Sequence, residues 1–373
     1  MLAAVLERFG NAAAEALSIK EVPEPDVGTG EVLVDVLATC VPPYAAEVFS
    51  GQRRYPLEPP VISGVGAIGR VVRTGPDATR LRPGDLVWCD STVRSRDDAV
   101  APDITLQGWS SAGEGGARLS RYFHDGPFAE RMRVPTENAV ALGDVDVADL
   151  PRWAALGVLL VPYGGLLAAG LQAGETVLVS GATGNFGSAG VAVALAMGAA
   201  AVVCPGRNQA VLADLVARFG DRVRPVVLTG DGDADRVAMQ ESAGAPVDVV
   251  LDLLPPSAGA AVARAAVMTV RPYGRVVLMG GVGMLGGDDL ALPYPWLMRN
   301  SITVRGQWMY PRTANVGLIN MIRSGVLDLT GERVTVFPLV RANEAVRFAA
   351  AHGNPFDRTV LCPRTDLGEQ ASP

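Results

Sequence analysis

Glu175-Thr-Val-Leu-Val-Ser180-Gly-Ala-Thr-Gly-Asn-Phe-Gly187, followed by the small-residue run 188–198, reads as a strand, a glycine turn and a helix in that order. An apolar, β-rich run enters the turn; Gly184 lets the backbone come close to a pyrophosphate, and Gly187 lets the helix start pack hard against the strand. The helix N-terminus then offers free N–H groups and a partial positive charge to phosphate. Ala182, Thr183, Gly184, Asn185, Phe186 and Gly187 are therefore the expected cofactor-binding residues of the turn.

Around this stretch, helical patterns alternate with buried apolar strands at 176–179, 201–204, 226–228, 247–251, 275–279 and 302–304. Six strands alternating with helices are the signature of a doubly wound parallel sheet in an α/β fold. Before about Leu150 the texture differs, with short strands between Gly/Pro turns, as in Glu31-Val-Leu-Val-Asp-Val and Ile68-Gly-Arg-Val-Val-Arg. That part reads as an irregular β domain, with 94–116 a long polar surface loop. A helix at 315–324 and a last strand at 359–361 have no partners of their own and are expected to return to the first domain. The expected division is 1–151 with 312–373 for one domain and 152–311 for the other.

The chain of 373 residues is long for a single core, and its composition is that of a globular protein, 49% hydrophobic with no apolar run of membrane-spanning length. The absence of a charged-then-apolar amino terminus adds the expectation of a soluble, cytoplasmic protein. A net charge of −7 argues against a nucleic-acid partner. The four cysteines, Cys40, Cys89, Cys204 and Cys362, form no CxxC pair and read as reduced thiols. Lys20 is the single lysine, so no Gly-Lys phosphate loop exists, and its Leu17-Ser-Ile-Lys setting reads as an edge strand.

NAD-selective folds place a carboxylate about twenty residues beyond the glycine turn. Here the second strand ends Val203-Cys-Pro-Gly206-Arg207-Asn208, without an acid. Gly206 leaves room for a 2′-phosphate, Arg207 can pair with it, and the expected cofactor is NADP(H).

The chain resembles the medium-chain dehydrogenase/reductase superfamily over nearly its full length. The resemblance rests on Gly64 within Pro60-Val-Ile-Ser-Gly-Val-Gly, on Arg82-Pro-Gly-Asp85, on Gly126-Pro-Phe-Ala-Glu130 and on the turn Ala182-x-Gly184-x-x-Gly187, which is similar to the quinone-reductase-like and enoyl-reductase-like branches. It implies a GroES-like β domain that binds substrate, followed by a Rossmann domain. Zinc alcohol dehydrogenases of the superfamily carry a cysteine, a His-Glu pair and a further cysteine or acid where this sequence holds Pro42, Val65 with Gly66, and Gly157. None of these can bind zinc, which needs N, S or O side chains, and the chain has only two histidines, His124 and His352. The loop that would carry the usual four-cysteine structural zinc has no cysteine. No metal is expected.

Without a cation, the charge that grows on the hydride acceptor must be spread by the substrate's own conjugation or held by hydrogen-bond donors. The resemblance places Tyr44 beside the vacated Pro42 and Tyr55, in Arg54-Tyr-Pro56, near the nicotinamide; these are the candidate catalytic residues. It also places Asp90 and Ser91 at the substrate-pocket rim; Tyr163 is expected against the cofactor, and so are Gly280, Gly281 and Val282, whose loop follows a parallel strand at the carboxyl edge where ligands bind. The leading expectation is an NADPH-dependent, zinc-independent reductase of a quinone or enoyl compound. The alternatives are a carbonyl reductase or alcohol dehydrogenase using Tyr44 as proton donor, and a nucleotide-binding protein with little catalysis. A homodimer formed through Ile302-Thr-Val-Arg-Gly-Gln-Trp308 is expected, since an open sheet edge needs cover.

Overall fold

A computed structural model describes residues 1–10 and 16–363. The chain divides into two compact units: Met1–Gly157 with Leu329–Gly353 and the stretch from Asp357, and Val158–Asp328 with Asn354–Phe356. The end of the expected first domain, 364–373, lies outside the described residues.

In the second unit, six parallel strands run from edge to edge as Val223–Val227, Ala201–Gly206, Thr176–Ser180, Val247–Asp252, Val270–Leu278 and Thr303–Gly306. All six expected strands are present. The strand Thr176–Ser180 is buried at every position, as a strand covered by helices on both faces must be, which is why its sequence is a continuous apolar run rather than an alternating one. Its helix, Asn185–Ala196, is built from Ala, Gly, Ser and Val and is itself almost wholly buried. The order in which strands are added reverses between the parallel neighbours Thr176–Ser180 and Val247–Asp252, whose ends Ser180 and Asp252 are register partners. A crevice at such a reversal is where open α/β sheets bind ligands.

The first unit is built on Glu31–Val41, an eleven-residue strand that pairs with Ala67–Thr74, Arg131–Pro135 and Asp357–Cys362. Valines at 32, 34 and 36 alternate onto one face and pack with Ala67, Val71, Val87, Met132 and Val134.

Two expectations are corrected. The helix Thr313–Arg323 belongs to the second unit, not the first. A Cβ on Gly317 would lie 2.6 Å from the Tyr163 hydroxyl, and one on Gly164 would lie 2.4 Å from the Tyr310 Cβ, so close packing ties 310–323 to Tyr163 and Gly164. The unit boundaries accordingly fall at 157/158 and 328/329 rather than 151/152 and 311/312. The segment 94–116 is also no plain loop: Thr92–Arg94, Ile104–Leu106 and Ser110–Ser111 form a small antiparallel sheet, and a helix follows at Gly113–Tyr122. Its polar side chains are tied to backbone, with Thr105 Oγ1 donating to Ser110 O and Gln107 Nε2 to Asp125 O and Arg133 O. These bonds let a polar sequence be buried.

Candidate active site

In the second unit the glycine turn begins one residue before the Ala182 at which the motif was read, with Gly181 at φ +86°. Gly187 is where backbone meets backbone. A Cβ there would lie 1.9 Å from Gly181 O and 2.8 Å from Ala182 Cα. Gly184 is the N-cap of the helix and supplies no side-chain cap, so an anion is the natural partner of its first turn. Ala182 is buried, while Thr183, Asn185 and Phe186 are half-buried around the turn.

Two buried oxygens nearby have no hydrogen-bond partner among the described residues, Asn185 Oδ1 and Asp252 Oδ1. Asn185 spends its amide nitrogen on Asn354 O at 3.4 Å. Asp252 ends its strand where the strand order switches, and burial pushes its carboxyl up to about 6, with Ser180 and the Leu254 amide pulling it back. Orphaned acceptors beside an uncapped helix start suit a ligand that brings both hydroxyl donors and phosphate, so the residues present fit a dinucleotide.

The Asp252 carboxyl has a sign that stability can test. Its folded value lies above the ordinary 3.8, so its contribution to stability is complete below about pH 4 and is lost as pH rises through about 6. Asp252→Asn cannot ionise and is expected to be about 1–3 kcal/mol more stable than the parent near pH 8, with the gain shrinking toward about pH 4. Urea unfolding at the two pH values checks this.

The other expected cofactor residues divide. Arg207 is exposed, and no hydrogen-bond or ion-pair partner of its side chain occurs among the described residues. Gly206 does not hold open space for a phosphate, because a Cβ there would lie 2.3 Å from Thr183 Cγ2; its role is to admit Thr183. Asn208 caps the helix Gln209–Phe219, accepting from Val211 N at 3.2 Å. The Tyr163 hydroxyl packs close to Gly317. In the loop after Val270–Leu278, Gly281 N donates to Leu254 O at 2.8 Å, and a Cβ on Gly280 would lie 2.5 Å from Asp252 Oδ2. Val282, half-buried, follows them.

In the first unit Tyr44 stands at the N-cap of the short helix Ala45–Phe49. Its ring meets Tyr55 edge to face at 6.5 Å and Trp109 at 5.9 Å, and Trp109 in turn meets Phe49 at 5.9 Å. The Arg53 guanidinium lies 4.3 Å from the Tyr44 ring centroid and is paired with Glu47 at 2.7 Å. Burial raises the Tyr44 phenol well above the ordinary range, and Tyr55 adds to the rise while Arg53 opposes it. Tyr55 is raised as well, chiefly by burial. Both phenols hold their protons at neutral pH, as an unperturbed tyrosine does, and the rise makes each a weaker acid.

The structure thus brings the two expected tyrosines together and adds three residues that sequence reasoning did not single out, Trp109, Arg53 and Glu47. Arg53 was flagged by nothing beyond its place beside Arg54-Tyr55. Trp109, after Ile104-Thr-Leu-Gln-Gly, had a signal in the alternation of Ile104 and Leu106 before a large aromatic.

Asp90 and Ser91 are buried turn builders. The Asp90 carboxylate accepts from Thr92 N at 2.8 Å, and Ser91 O accepts from Gln107 N at 2.9 Å. His124 is tied to Asp125 Oδ1 and Glu58 O, and His352 stacks on Phe348. Lys20 lies on the edge strand Leu17–Glu21 and pairs with Glu7. All four cysteines are free and buried.

The positions where zinc relatives hold ligands do not fit a metal. Pro42, Val65, Gly66 and Gly157 offer no side-chain donor. Among the described residues, no group of three or more His, Cys, Asp or Glu is placed to hold an ion. No single helix among them is long and apolar enough to cross a membrane.

Residues 28–144 match the alcohol dehydrogenase GroES-like domain, and 186–324 match the zinc-binding dehydrogenase family. The acryloyl-coenzyme A reductase of Metallosphaera sedula is 27% identical over 324 residues, 83% of this chain and 86% of that protein. The L-threonine 3-dehydrogenase of Thermococcus kodakarensis is 30% identical over 267 residues, 70% of this chain and 71% of that protein. The thermostable alcohol dehydrogenase of Pyrobaculum aerophilum superposes with a TM-score of 0.74 at 25% identity, covering 97% of this chain and 99% of that one. With its GroES-like unit, its six-stranded parallel sheet and these relatives, the chain belongs to the medium-chain dehydrogenase/reductase superfamily and is an oxidoreductase.

Proposed function

We propose that the chain is an NADPH-dependent reductase that acts without a metal on a conjugated carbonyl compound, a quinone or an enoyl substrate. The observation that carries this reading is Tyr44, a phenol set in an aromatic cluster with Tyr55 and Trp109 in a chain whose zinc-ligand positions, Pro42, Val65, Gly66 and Gly157, hold no donor. The nicotinamide nucleotide, when bound, supplies the hydride. The helix start at Gly184 holds its phosphates, and Gly187 keeps that helix against the strand. Arg207, exposed and unpaired among the described residues, is the group to meet a 2′-phosphate. Tyr44 donates its hydroxyl proton to the substrate oxygen, the half-buried Tyr55 offers a flat apolar ring suited to a planar conjugated group, and the buried Trp109 backs Tyr44. The M. sedula relative bears the name of an enoyl-thioester reductase, which is compatible with this class.

Arg207→Ser is expected to weaken NADPH binding roughly 10–100-fold while leaving NADH binding within about twofold, the loss of one charge-assisted phosphate contact. Fluorescence titration with both coenzymes measures it. The reading itself is tested by recording NADPH oxidation against quinones, enones and aldehydes and identifying products by mass spectrometry. A saturated C=C bond or a hydroquinone supports it. Reduction of unconjugated carbonyls alone, giving alcohols, would instead support the carbonyl reductase reading, which the alcohol dehydrogenases among the relatives favour.

A homodimer is proposed through the edge strand Thr303–Gly306, which is exposed along its length. Tyr294, Met298, Val304 and Trp308 add exposed apolar surface near it in the sequence. Sedimentation is expected to give a dimer, and Val304→Lys to shift it toward monomer.

A further inference from the structure

The ligand positions that lack donors are not simply vacant. Trp88, in the strand Leu86–Cys89, is 1% exposed and is among the largest fully buried side chains of the protein. A Cβ built on Gly66 would lie 2.4 Å from its Cη2, 2.9 Å from its Cζ2 and 3.2 Å from its Cζ3. A Cβ on Gly157 would lie 3.5 Å from the same Cη2. One edge of one indole therefore faces two of the positions at which zinc relatives carry donors. The strand fixes that edge: Trp88 is paired on one side with Ile68 and on the other with Val140. Gly66 is fixed too, since its carbonyl accepts from Thr39 Oγ1 at 2.8 Å.

We propose that Trp88 is a plug, an indole that fills the space a catalytic metal and its ligands would need, so that restoring ligands alone cannot restore a metal. The glycines at 66 and 157 are then the other half of the interlock. Even one carbon at 66 falls inside the contact distance of the ring, and at 157 a first carbon would already touch it. A tetrahedral zinc needs side chains of several atoms projecting into one small volume about 2 Å from the ion. That volume is given to carbon. The proposal rests on the metal-free reading of this protein, but its test reads metal content rather than activity.

Two variants decide it. Pro42→Cys/Val65→His/Gly157→Cys restores donors at the three positions, and the second adds Trp88→Val. Each is purified, incubated with zinc, freed of excess metal by gel filtration and assayed for bound zinc by atomic emission. The expected result is no bound zinc in the first and about one per chain in the second, the number a single site would take. Stoichiometric zinc in the first variant would overturn the plug, and so would absence of zinc from both, because something other than the indole would then exclude it. Zinc in the wild-type protein would overturn the metal-free reading instead.

Should the multiple variants not fold, a cycle of Gly66→Ala, Trp88→Leu and their combination gives a second reading from thermal unfolding. A methyl group at 66 is expected to lower the melting temperature markedly with Trp88 present and clearly less in the Trp88→Leu background. Equal losses in both backgrounds would mean that the positive φ of Gly66, +65°, alone demands glycine, and would overturn the interlock.

Discussion

Gly187→Ala is expected to raise the dissociation constant for NADPH at least about 100-fold and to destabilise the protein by about 2–3 kcal/mol. The added carbon would lie 1.9 Å from Gly181 O, far inside any allowed contact, and the obstacle is backbone with no rotamer to yield. The helix Asn185–Ala196 must therefore back away from the strand Thr176–Ser180, taking with it the N–H groups that meet the phosphates. Two lost or lengthened amide contacts to an anion suffice for the hundredfold, since each tenfold is about 1.4 kcal/mol. Equilibrium titration of NADPH together with urea unfolding measures both parts. Unchanged affinity would mean that the nucleotide is held elsewhere.

Tyr44→Phe is expected to lower kcat about 100- to 1,000-fold, the usual worth of a positioned proton donor, while the NADPH dissociation constant stays within about twofold. The substitution is chosen because it keeps the ring and with it the edge contacts to Tyr55 and Trp109 and the stack under Arg53. It removes one hydroxyl. Since the phenol is raised above its ordinary range, chiefly by burial, the wild-type rate should show no alkaline decline from this group at about pH 10, where a free tyrosine ionises. Steady-state kinetics of both proteins across that range checks the two statements together. A variant with undiminished kcat would pass the proton-donor role to solvent or to Tyr55.

The nucleotide fold was legible because its determinants are local. Strands buried on both faces are written as apolar runs, and a helix that must touch a strand is written as Gly187 and a run of small residues. What stayed hidden depends on contacts distant in sequence. That a Cβ on Gly206 would meet Thr183, and that the Asn208 oxygen caps a helix at Val211 N, are visible only in the folded chain. The segment 94–116 reads as loop because its polar side chains find their backbone partners, such as Asp125 O and Arg133 O for Gln107, only once folded. Likewise the helix Thr313–Arg323 carries no mark of the unit it joins, because Gly317 is legible only against the Tyr163 hydroxyl.

The first unit's chemistry was half legible. Tyr44 and Tyr55 are eleven positions apart in the sequence, and their meeting at 6.5 Å depends on the turn after Ala45–Phe49, in which Arg54 takes a left-handed conformation at φ +52°. Such a conformation is uncommon for a residue with a side chain. Trp109 arrives from a different sheet, so its contact with Tyr44 could be inferred only from the folded chain. The absence of zinc donors at Pro42, Val65, Gly66 and Gly157 was readable from residue types alone; that Trp88 faces Gly66 and Gly157 was not.

The most direct test of hydride transfer without a metal is NADPH oxidation by an enone, measured on protein dialysed against a strong chelator and assayed for metal in the same sample. Undiminished turnover at metal contents far below one ion per chain, with the C=C bond saturated in the product, is the expected result. Turnover that vanishes on chelation and returns with zinc would contradict it.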